Sequence, residues 1–493
     1  MASWGESEVN IDLPITHRRA ETREGSPSVL VALASYGTAQ DHYLERVITE
    51  YRSLKMPTRV VVLSDKDKPV RGAEVIAGLP LRDPHSLPFA HRKVFAENAR
   101  RYDLFIYAED DTLLTEQHIE AFLSTQAKLE EDEILGFVRS EASPAGRKYI
   151  TSIHHHFRWR AETVVERHGD LFAELSNLHS GCFIVTRRQL SRAIASGRFL
   201  VAPHAERYGM LETATTDLYT QCDMRRLICV SQVRDFIVPH LPNKYYAKMG
   251  IPLGDFEFQA QSLCNHHRAG SWNGSLFDVE SRAPGFRWSK DLYQPDPDLL
   301  SEVPSSIKSI LSVGCGSGAN EIRLSRLGMN VCAVPLDAVF GAQLRRDGIR
   351  TVEGPLDSAI SDLSDERFDA VMLADVLHLV DDPVTWLRKL REALAPGGQL
   401  IASVGNTCDA ICWVRDWLDG NRRPFIADFR SSGVHAVSAK RLRRWLRETG
   451  YDVESIVPVM EGSRIHLRKL GLKALEPAFA TRFIVNARPI NAH

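Results

Sequence analysis

A glycine-rich segment that directly follows a short apolar run constrains the fold of this 493-residue chain more than any other feature. The segment reads Ile310-Leu-Ser-Val-Gly314-Cys-Gly316-Ser-Gly318, and a helical pattern begins at Ala319. Glycines let the backbone turn sharply, and they let a ligand approach the strand end closely. The first turn of the next helix adds free N–H groups and a positive dipole. The segment therefore predicts a strand, loop and helix with a ligand site at the loop.

Short, mainly apolar runs alternate with helical patterns in both halves of the chain. In the first half these runs are Val29–Ala34, Arg59–Leu63 and Leu104–Tyr107, and the alternation restarts at Ser309. Apolar strands that alternate with helices are typical of a parallel sheet covered by helices. We therefore predict an α/β protein with two tandem three-layer α/β/α domains.

The length agrees with two large domains, because one domain usually holds roughly 100–200 residues. Residues 1–28 are polar without an apolar core, so we predict a flexible tail and not a secretory signal. The first domain is predicted at 29–250 and the second at 289–493. Residues 251–288 lack a clear periodicity, and we interpret them as an extension and connector.

Charge and cysteine content exclude several classes of protein. The chain has 61 Lys and Arg against 63 Asp and Glu, so no nucleic-acid partner is expected. Its eight cysteines form no CxxC pair, which indicates reduced thiols and a cytoplasmic location. No apolar run reaches the roughly 18 residues of a transmembrane helix. We therefore expect no transmembrane segment, and peripheral membrane contact stays open.

The second half resembles class I S-adenosylmethionine-dependent methyltransferases. The GxGxG spacing after Val313 is similar to the family's first motif, and further segments follow in the family's order. These segments are Phe368–His378, Asp382–Gly398, Ser403–Asn406 and Gly433–Tyr451. The resemblance implies a Rossmann-like fold and S-adenosyl-L-methionine as the cofactor.

The same resemblance assigns roles to single residues. Those expected to bind the cofactor are Gly314, Gly316, Gly318, Asp337, Glu353 and Asp375. Asn406 is expected to contact substrate, and His435, with His378 as second choice, is expected to act as the base. Pro335 and Pro355 stand where the family usually has acids, and proline offers neither a charge nor a donor. Either Asp337 and Glu353 replace those acids, or cofactor binding is weak or lost.

An acidic cluster follows the third strand of the first half. Glu109, Asp110 and Asp111 come directly after the apolar run Leu104–Tyr107. Such a density of carboxylates is unfavourable without a cation, and hard oxygen ligands suit Mg²⁺ or Mn²⁺. The alternative is a solvated turn whose acids cap the next helix.

Residues 28–250 resemble GT-A-type glycosyltransferases in strand order and in a few positions. The resemblance implies a metal site at Glu109, Asp110, Asp111 and His240, and nucleotide-sugar contacts at Ser35, Tyr36 and Asp65. Lys93 could add positive charge near the phosphates. The expected catalytic acid is Asp217, by its distance along the chain from His240, with Glu212 as the alternative.

Together these assignments predict a bifunctional, glycan-modifying enzyme. It would transfer a sugar from a nucleotide donor to a glycan or lipid-linked acceptor, in polysaccharide or glycolipid biosynthesis, and would also transfer a methyl group. One alternative keeps the glycosyltransferase and makes the second half a degenerate scaffold. Another makes both halves binding modules of a polysaccharide-assembly complex. A nucleotidyltransferase is disfavoured, because Ser35-Tyr-Gly-Thr38 lacks that class's basic glycine-rich signature.

Overall fold

The computed structural model describes residues 25–80, 83–151, 157–272, 274–282, 288–411, 414, 428–461 and 475–490. Most of the tail predicted at residues 1–28 therefore lies outside the described part of the chain. Within the described residues, no helix is long and apolar enough to cross a bilayer. The described cysteines are free thiols, and Cys408 alone among them is exposed.

The first half contains the following strands and helices, in chain order: β1 (Val29–Ser35), α1 (Asp41–Ser53), β2 (Thr58–Ser64), β3 (Glu74–Ile76), α2 (Ala90–Asn98), β4 (Leu104–Glu109), α3 (Glu116–Gln126), β5 (Glu133–Leu135), β6 (Val138–Ala142), β7 (Lys148–Thr151), β8 (Trp159–Arg167), β9 (Asp170–Leu175), β10 (Cys182–Thr186), α4 (Arg187–Ala195), α5 (Met210–Thr220), β11 (Arg225–Cys229), β12 (Ile237–Pro239), α6 (Tyr246–Met249), β13 (Gly250–Pro252) and α7 (Leu253–Ala269).

The main sheet of the first half has the order β10-β4-β1-β2-β3. Its four strands β4, β1, β2 and β3 are parallel, and β10 pairs antiparallel with β4. Every residue of β1 is buried, as its apolar run predicts, because helices cover both faces of the sheet. The predicted parallel α/β sheet is confirmed, and the carboxyl ends of β1, β2 and β4 meet at one edge.

Two smaller sheets, with the orders β5-β11-β9-β8 and β12-β6-β7-β13, extend the first half beyond the predicted architecture. Their strands β6, β7 and β8 mix polar with apolar residues and contain no continuous apolar run. Residues 251–288, interpreted from the sequence as an extension and connector without clear periodicity, contain helix α7. Its buried residues Phe256, Ala260, Leu263 and Cys264 pack on Trp159 of β8.

The second half contains, in chain order, α8 (Pro297–Ser301), β14 (Ser309–Cys315), α9 (Ala319–Arg326), β15 (Asn330–Pro335), α10 (Ala338–Arg346), β16 (Arg350–Thr351), α11 (Leu356–Asp362), β17 (Phe368–Ala374), α12 (Pro383–Glu392), β18 (Leu394–Gly405), α13 (Phe429–Ser432), α14 (Ala439–Glu448), β19 (Tyr451–Val459), α15 (Glu476–Phe479) and β20 (Arg482–Pro489).

These strands form one sheet of seven, in the order β16-β15-β14-β17-β18-β20-β19. The first five run parallel, and β20 pairs antiparallel with both of its neighbours. Strand order reverses between β14 and β17, and ligands of such sheets bind at that reversal, beyond the carboxyl ends. The Rossmann-like prediction for this half is confirmed.

Direct contacts join the two halves. Tyr293 Oη donates a hydrogen bond to the carbonyl of Phe157 at 2.9 Å, and Gln259 pairs with Gln343 across α7 and α10. Val339 of α10 lies in the same apolar cluster as Phe157. The packing of the second half therefore depends on residues of the first.

Candidate functional site

The glycine loop after β14 has the backbone that its sequence predicts. Gly314 and Gly318 have φ angles of +74° and +87°, which side chains other than glycine rarely adopt. A Cβ on Gly316 would lie 2.4 Å from the carbonyl oxygen of Leu292. The chain's own backbone, at Leu292, therefore lies close against the loop.

A cavity of about 580 Å³ opens at the carboxyl ends of β17 and β18. Six carboxylates and two basic side chains line it, together with polar and apolar groups. The titratable members are Lys290, Asp291, Asp296, Asp298, Asp375, His378, Asp409, Glu461 and Arg482. A cavity with this charge favours a cationic ligand or a ligand with a cationic group.

Two residues singled out in the sequence line this cavity. Asp375 Oδ1 accepts a hydrogen bond from Ser403 Oγ at 3.1 Å. His378 is buried, and burial lowers the pKa of its ring. Its Nε2 lies 2.7 Å from the carbonyl of Trp288, and the Gly405 N–H points at Nδ1 from 3.3 Å. A neutral ring that donates from Nε2 and accepts at Nδ1 satisfies both contacts, so His378 holds Trp288 in place.

The two acids expected to replace the missing family acids have other partners. Asp337 is fully buried and accepts hydrogen bonds from the N–H groups of Val339 and Phe340, so it caps α10. Its second oxygen lies 3.8 Å from Arg158 of the first half. Burial raises the pKa of Asp337 to about 6. Glu353 bonds to Arg345. As arranged, neither carboxylate is free to hold a cofactor ribose.

The predicted substrate residue and base also lie beside the cavity and not on its lining. Asn406 is buried, and its amide donates to the carbonyls of Pro477 and Ala480. His435 stacks on Phe429, and its Nε2 lies 2.9 Å from the carbonyl of Val380. Burial lowers the pKa of His435. These contacts position chain segments around the cavity.

Sequence reasoning missed the two cations of the cavity. Lys290 is buried, and its ammonium donates to the carbonyl of Ala374 at the end of β17. Arg482 pairs with Asp296, Asp298 and Glu461. Lys290 lies just after the connector, and Arg482 begins a strand that the sequence analysis did not predict. No local pattern marks either residue.

In the first half, the carboxyl edge brings predicted residues of three strands together. Ser35 Oγ donates to Asp110 Oδ2 at 2.5 Å, which ties β1 to β4. The Gly37 N–H donates to Asp65 Oδ1 at 2.8 Å, which ties the loop after β1 to β2. Lys68 is buried here and donates to Ser35 Oγ at 2.9 Å, a contact the sequence did not predict. Tyr36 stands 52% exposed beside them.

The acidic cluster of β4 is electrostatically strained. Burial, and then the neighbouring carboxylate of Asp111, raise the pKa of Glu109 to about 7. Burial also raises the pKa of Asp110 to about 7. Asp111 lies 3.4 Å from His240 Nε2. Burial opposes the shift, but hydrogen bonds to Asp111 and Glu141 raise the pKa of His240. Despite burial, contact with His240 lowers the pKa of Asp111, so the two shifts favour the ionised pair. The raised pKa values of Glu109 and Asp110 instead favour their protonated forms.

The predicted Mn²⁺ or Mg²⁺ site is not supported. Over the described ranges, no group of three or more His, Cys, Asp or Glu side chains is arranged to hold a metal ion. Asp110 turns toward Ser35, Asp111 toward His240, and Glu109 toward Arg139 at 3.9 Å. Of the four predicted ligands, Asp111 and His240 meet each other while Asp110 and Glu109 turn to other partners, so the four do not fit one shared cation.

The two candidate catalytic acids on α5 differ in their surroundings. Asp217 is 1% exposed and pairs with Arg92 at 2.8 Å, so it is not placed to face an acceptor hydroxyl. Glu212 is half-buried in the first turn of α5, and its charge raises the pKa of Glu109. Lys93 pairs within α2 with Glu97 at 3.8 Å. Asp217 and Glu212 both stay predictions: the structure places Asp217 in an ion pair with Arg92, which no sequence pattern marks, and it leaves Glu212 partly accessible.

Comparisons with known proteins concern the second half. Residues 287–456 match the family model of a methyltransferase domain. The ubiquinone biosynthesis O-methyltransferase of Cereibacter sphaeroides is 28% identical over 190 residues, which are 37% of this chain and 66% of that protein. An uncharacterized methyltransferase of Mycobacterium tuberculosis is 34% identical over 118 residues, 23% of this chain and 58% of that protein.

A solved structure, an S-adenosylmethionine-dependent methyltransferase from Mesorhizobium loti, is 20% identical with a TM-score of 0.28. The match covers 39% of this chain and 96% of that one. The chain spans about two thirds or less of the length of the two curated relatives above. Residues 287–456 therefore match a methyltransferase domain in sequence, and the described part of this region lies in the Rossmann-like sheet. The glycosyltransferase prediction for the first half has no such support and rests on its residues alone.

Proposed function

We propose that the second half transfers a methyl group from S-adenosyl-L-methionine to an acceptor bound in the acidic cavity. The observation that carries this proposal is the position of the cavity. It opens at the carboxyl ends of β17 and β18, near the glycine loop, and most of its lining belongs to the region that matches the methyltransferase family. Ligands of parallel sheets bind at that edge.

The cofactor supplies a methyl group on a positively charged sulfur. The chain's own contribution is position and charge. Asp375 and Asp409 place carboxylates on the cavity wall, where they favour a cation. Holding two reactants in line provides most of what such a transfer needs, so a strong base is not required. Both nitrogens of His378 are engaged, which agrees with a positioning role.

Isothermal calorimetry with S-adenosylmethionine tests this proposal. We expect binding to the wild type, and we expect Asp375→Asn to weaken it at least tenfold, because the substitution removes a charge from the cavity. Asparagine tolerates the left-handed backbone of Asp375, whose φ is +54°. Asp357→Asn is the matched control, since Asp357 lies away from the cavity and its side chain is 72% exposed. No binding at millimolar cofactor would favour the degenerate, scaffolding alternative.

A second candidate function, glycosyl transfer by the first half, is favoured by the carboxyl edge of its main sheet. Asp65, Ser35 and Asp110 meet there beside the exposed ring of Tyr36, as a nucleotide-sugar site would need. Glu212 is the proposed base, which takes the proton of an acceptor hydroxyl. The whole chain is then a cytoplasmic, bifunctional enzyme of polysaccharide or glycolipid biosynthesis, with domains at 29–250 and 289–493.

Thermal shift with nucleoside diphosphates tests the second candidate. We expect uridine or guanosine diphosphate to raise the melting temperature of the wild type, and Asp65→Asn to abolish that rise. Asp67→Asn is the control, because Asp67 is an exposed acid two residues away. Equal stabilisation of all three proteins would contradict a nucleotide site at this edge.

A further inference from the structure

A strap formed by residues 275–282 and 288–293 lies over the carboxyl edge of the second sheet. Leu276 donates its N–H to the carbonyl of Leu336, directly after β15, at 2.8 Å. The Ser317 N–H in the glycine loop donates to the carbonyl of Leu292 at 2.8 Å. The ring of Phe277 lies against Gly314, 2.7 Å from where a Cβ would stand. The strap thus contacts the loop and the two strand ends that the methyltransferase resemblance assigns to the cofactor.

Apolar packing holds the strap against the second sheet and α10. Val279 and Leu292 of the strap form a buried cluster with Leu336 and Phe340. Burial of apolar side chains of this size is favourable, so this contact stabilises the closed position of the strap. The glycine loop is absent from the cavity lining because the strap lies between them.

Lys290 fastens the strap inside the acidic cavity. Its side chain is nearly fully buried, and its ammonium donates to the carbonyl of Ala374. Asp375, the next residue, and Asp409 line the same cavity. A carbonyl oxygen flanked by carboxylates is a binding site for a cationic group, and here the chain supplies that group itself.

The other end of the strap is fastened to the first half. Glu280 is 2% exposed and pairs with Arg207, which precedes α5. A buried charge that loses its partner is strongly unfavourable. This pair therefore holds the strap against the first half. The two fastenings lie at either side of the covered edge.

We propose that the cavity holds a cationic group of its ligand at the carbonyl of Ala374, and that Lys290 occupies this position in the closed state. The inference rests on the proposed methyl transfer and deepens it. S-adenosylmethionine carries two cationic groups, an ammonium and a sulfonium. Its binding therefore requires Lys290 to leave and the strap to lift from the glycine loop.

The first test compares ligands with and without cationic groups. Isothermal calorimetry measures the affinity of wild type and Lys290→Met for S-adenosylmethionine and for 5′-methylthioadenosine, which has a neutral sulfur and no ammonium. Methionine keeps the apolar stem of Lys290 and removes its charge. We expect Lys290→Met to bind S-adenosylmethionine at least tenfold more tightly, with a change below threefold for methylthioadenosine. The control, Lys308→Met, changes an exposed lysine of the same half.

Weaker binding of S-adenosylmethionine to Lys290→Met would overturn the inference, because it would make Lys290 a ligand contact and not a competitor. Equal gains for both ligands would overturn it too, since the cationic group would then play no part. Arg207→Met releases the strap from its other end, and it should tighten S-adenosylmethionine binding in the same direction.

The second test needs no ligand. Hydrogen exchange should be faster in Lys290→Met at the amides of Ser317 and Leu276, which bond across the strap contact. The amide of Leu327, bonded to the carbonyl of Arg323 at the far end of α9, should keep its rate. Unchanged exchange at Ser317 and Leu276 would overturn the inference. If no variant binds S-adenosylmethionine, the proposed methyl transfer fails, and the inference stands or falls by this exchange result.

Discussion

The two halves of the chain each place side chains at the carboxyl edge of a parallel sheet, and the two edges differ in what covers them. In the first half, Ser35, Asp65 and Asp110 lie beside an exposed tyrosine. In the second half, the ends of β14 and β15 lie under the strap, and Asp337 there is fully buried. The same topology therefore yields an accessible edge in one half and a covered edge in the other.

The comparison shows that an acid at a strand end has no role set by its position alone. Asp65 accepts one N–H group and remains partly accessible. Asp337 accepts two N–H groups of its own helix and faces Arg158. The first carboxylate is partly accessible to a ligand, with the exposed Lys66 3.6 Å from its second oxygen, and the second carboxylate joins two parts of the chain.

The largest expected effect separates folding from function in the first half. Asp217→Ala should lower the free energy of unfolding by about 3–5 kcal/mol, because it leaves Arg92 buried without its partner. Glu212→Ala should change it by less than about 0.5 kcal/mol, as expected at a half-exposed position. Urea denaturation measures both. A stable Asp217→Ala protein without activity would restore Asp217 as the catalytic acid.

A somewhat smaller effect concerns pH and the acids of β4. The pKa of Asp110 is raised to about 7 in the folded chain, above its ordinary value of 3.8. A raised carboxyl pKa stabilises the fold below the unfolded value, and this contribution is lost as pH rises through 7. Asp110→Asn should therefore lose less stability than wild type between pH 5 and 8, by on the order of 2 kcal/mol.

The matched control for that measurement is Asp223→Asn, since the side chain of Asp223 is 81% exposed and its left-handed backbone also suits asparagine. Identical pH profiles for wild type and Asp110→Asn would show that the edge of the first half is more open than its burial indicates.

The strap over the second edge can be tested by adding one methyl group. Gly316→Ala places a Cβ 2.4 Å from the carbonyl of Leu292, so the strap or the loop must move. We expect a loss of about 1–3 kcal/mol in the free energy of unfolding. Gly254→Ala is the control, because a Cβ there meets nothing within 4 Å and lies in a helix. Equal stability of both variants would contradict a tightly seated strap.

The smallest expected effect concerns Asp337. Asp337→Ala removes the cap of α10 and should cost about 0.5–2 kcal/mol, whereas Asp337→Asn keeps an accepting oxygen and should cost less. Thermal denaturation measures the difference. If Asp337→Asn instead left stability unchanged and abolished S-adenosylmethionine binding, Asp337 would be a cofactor ligand after all, and the two edges would be more alike than they appear in the closed state.

The expected effects are larger for side chains whose role depends on distant residues. The same dependence decides which features of the fold could be predicted from the sequence. The strands β1, β2, β4 and β14 were predictable, because a wholly buried strand needs an apolar run whatever surrounds it. The short strands β6, β7 and β12 were not, because their sheet forms only when β12 pairs with β6 and β13 pairs with β7, far apart along the chain. Helix α7 was hidden because its periodic buried residues are interrupted by polar ones.

Candidate residues of the site follow the same division. The sequence by itself determined the glycine loop, the acids after β4 and the position of Asp375, since each depends on a local strand end. Only the tertiary structure decided that Arg92 neutralises Asp217, that Asp111 turns to His240 and that Lys290 enters the cavity. These contacts join residues distant in the chain, and the packing of two sheets and a connector brings them together. Local patterns specify which groups reach an edge, and the fold specifies what meets them there.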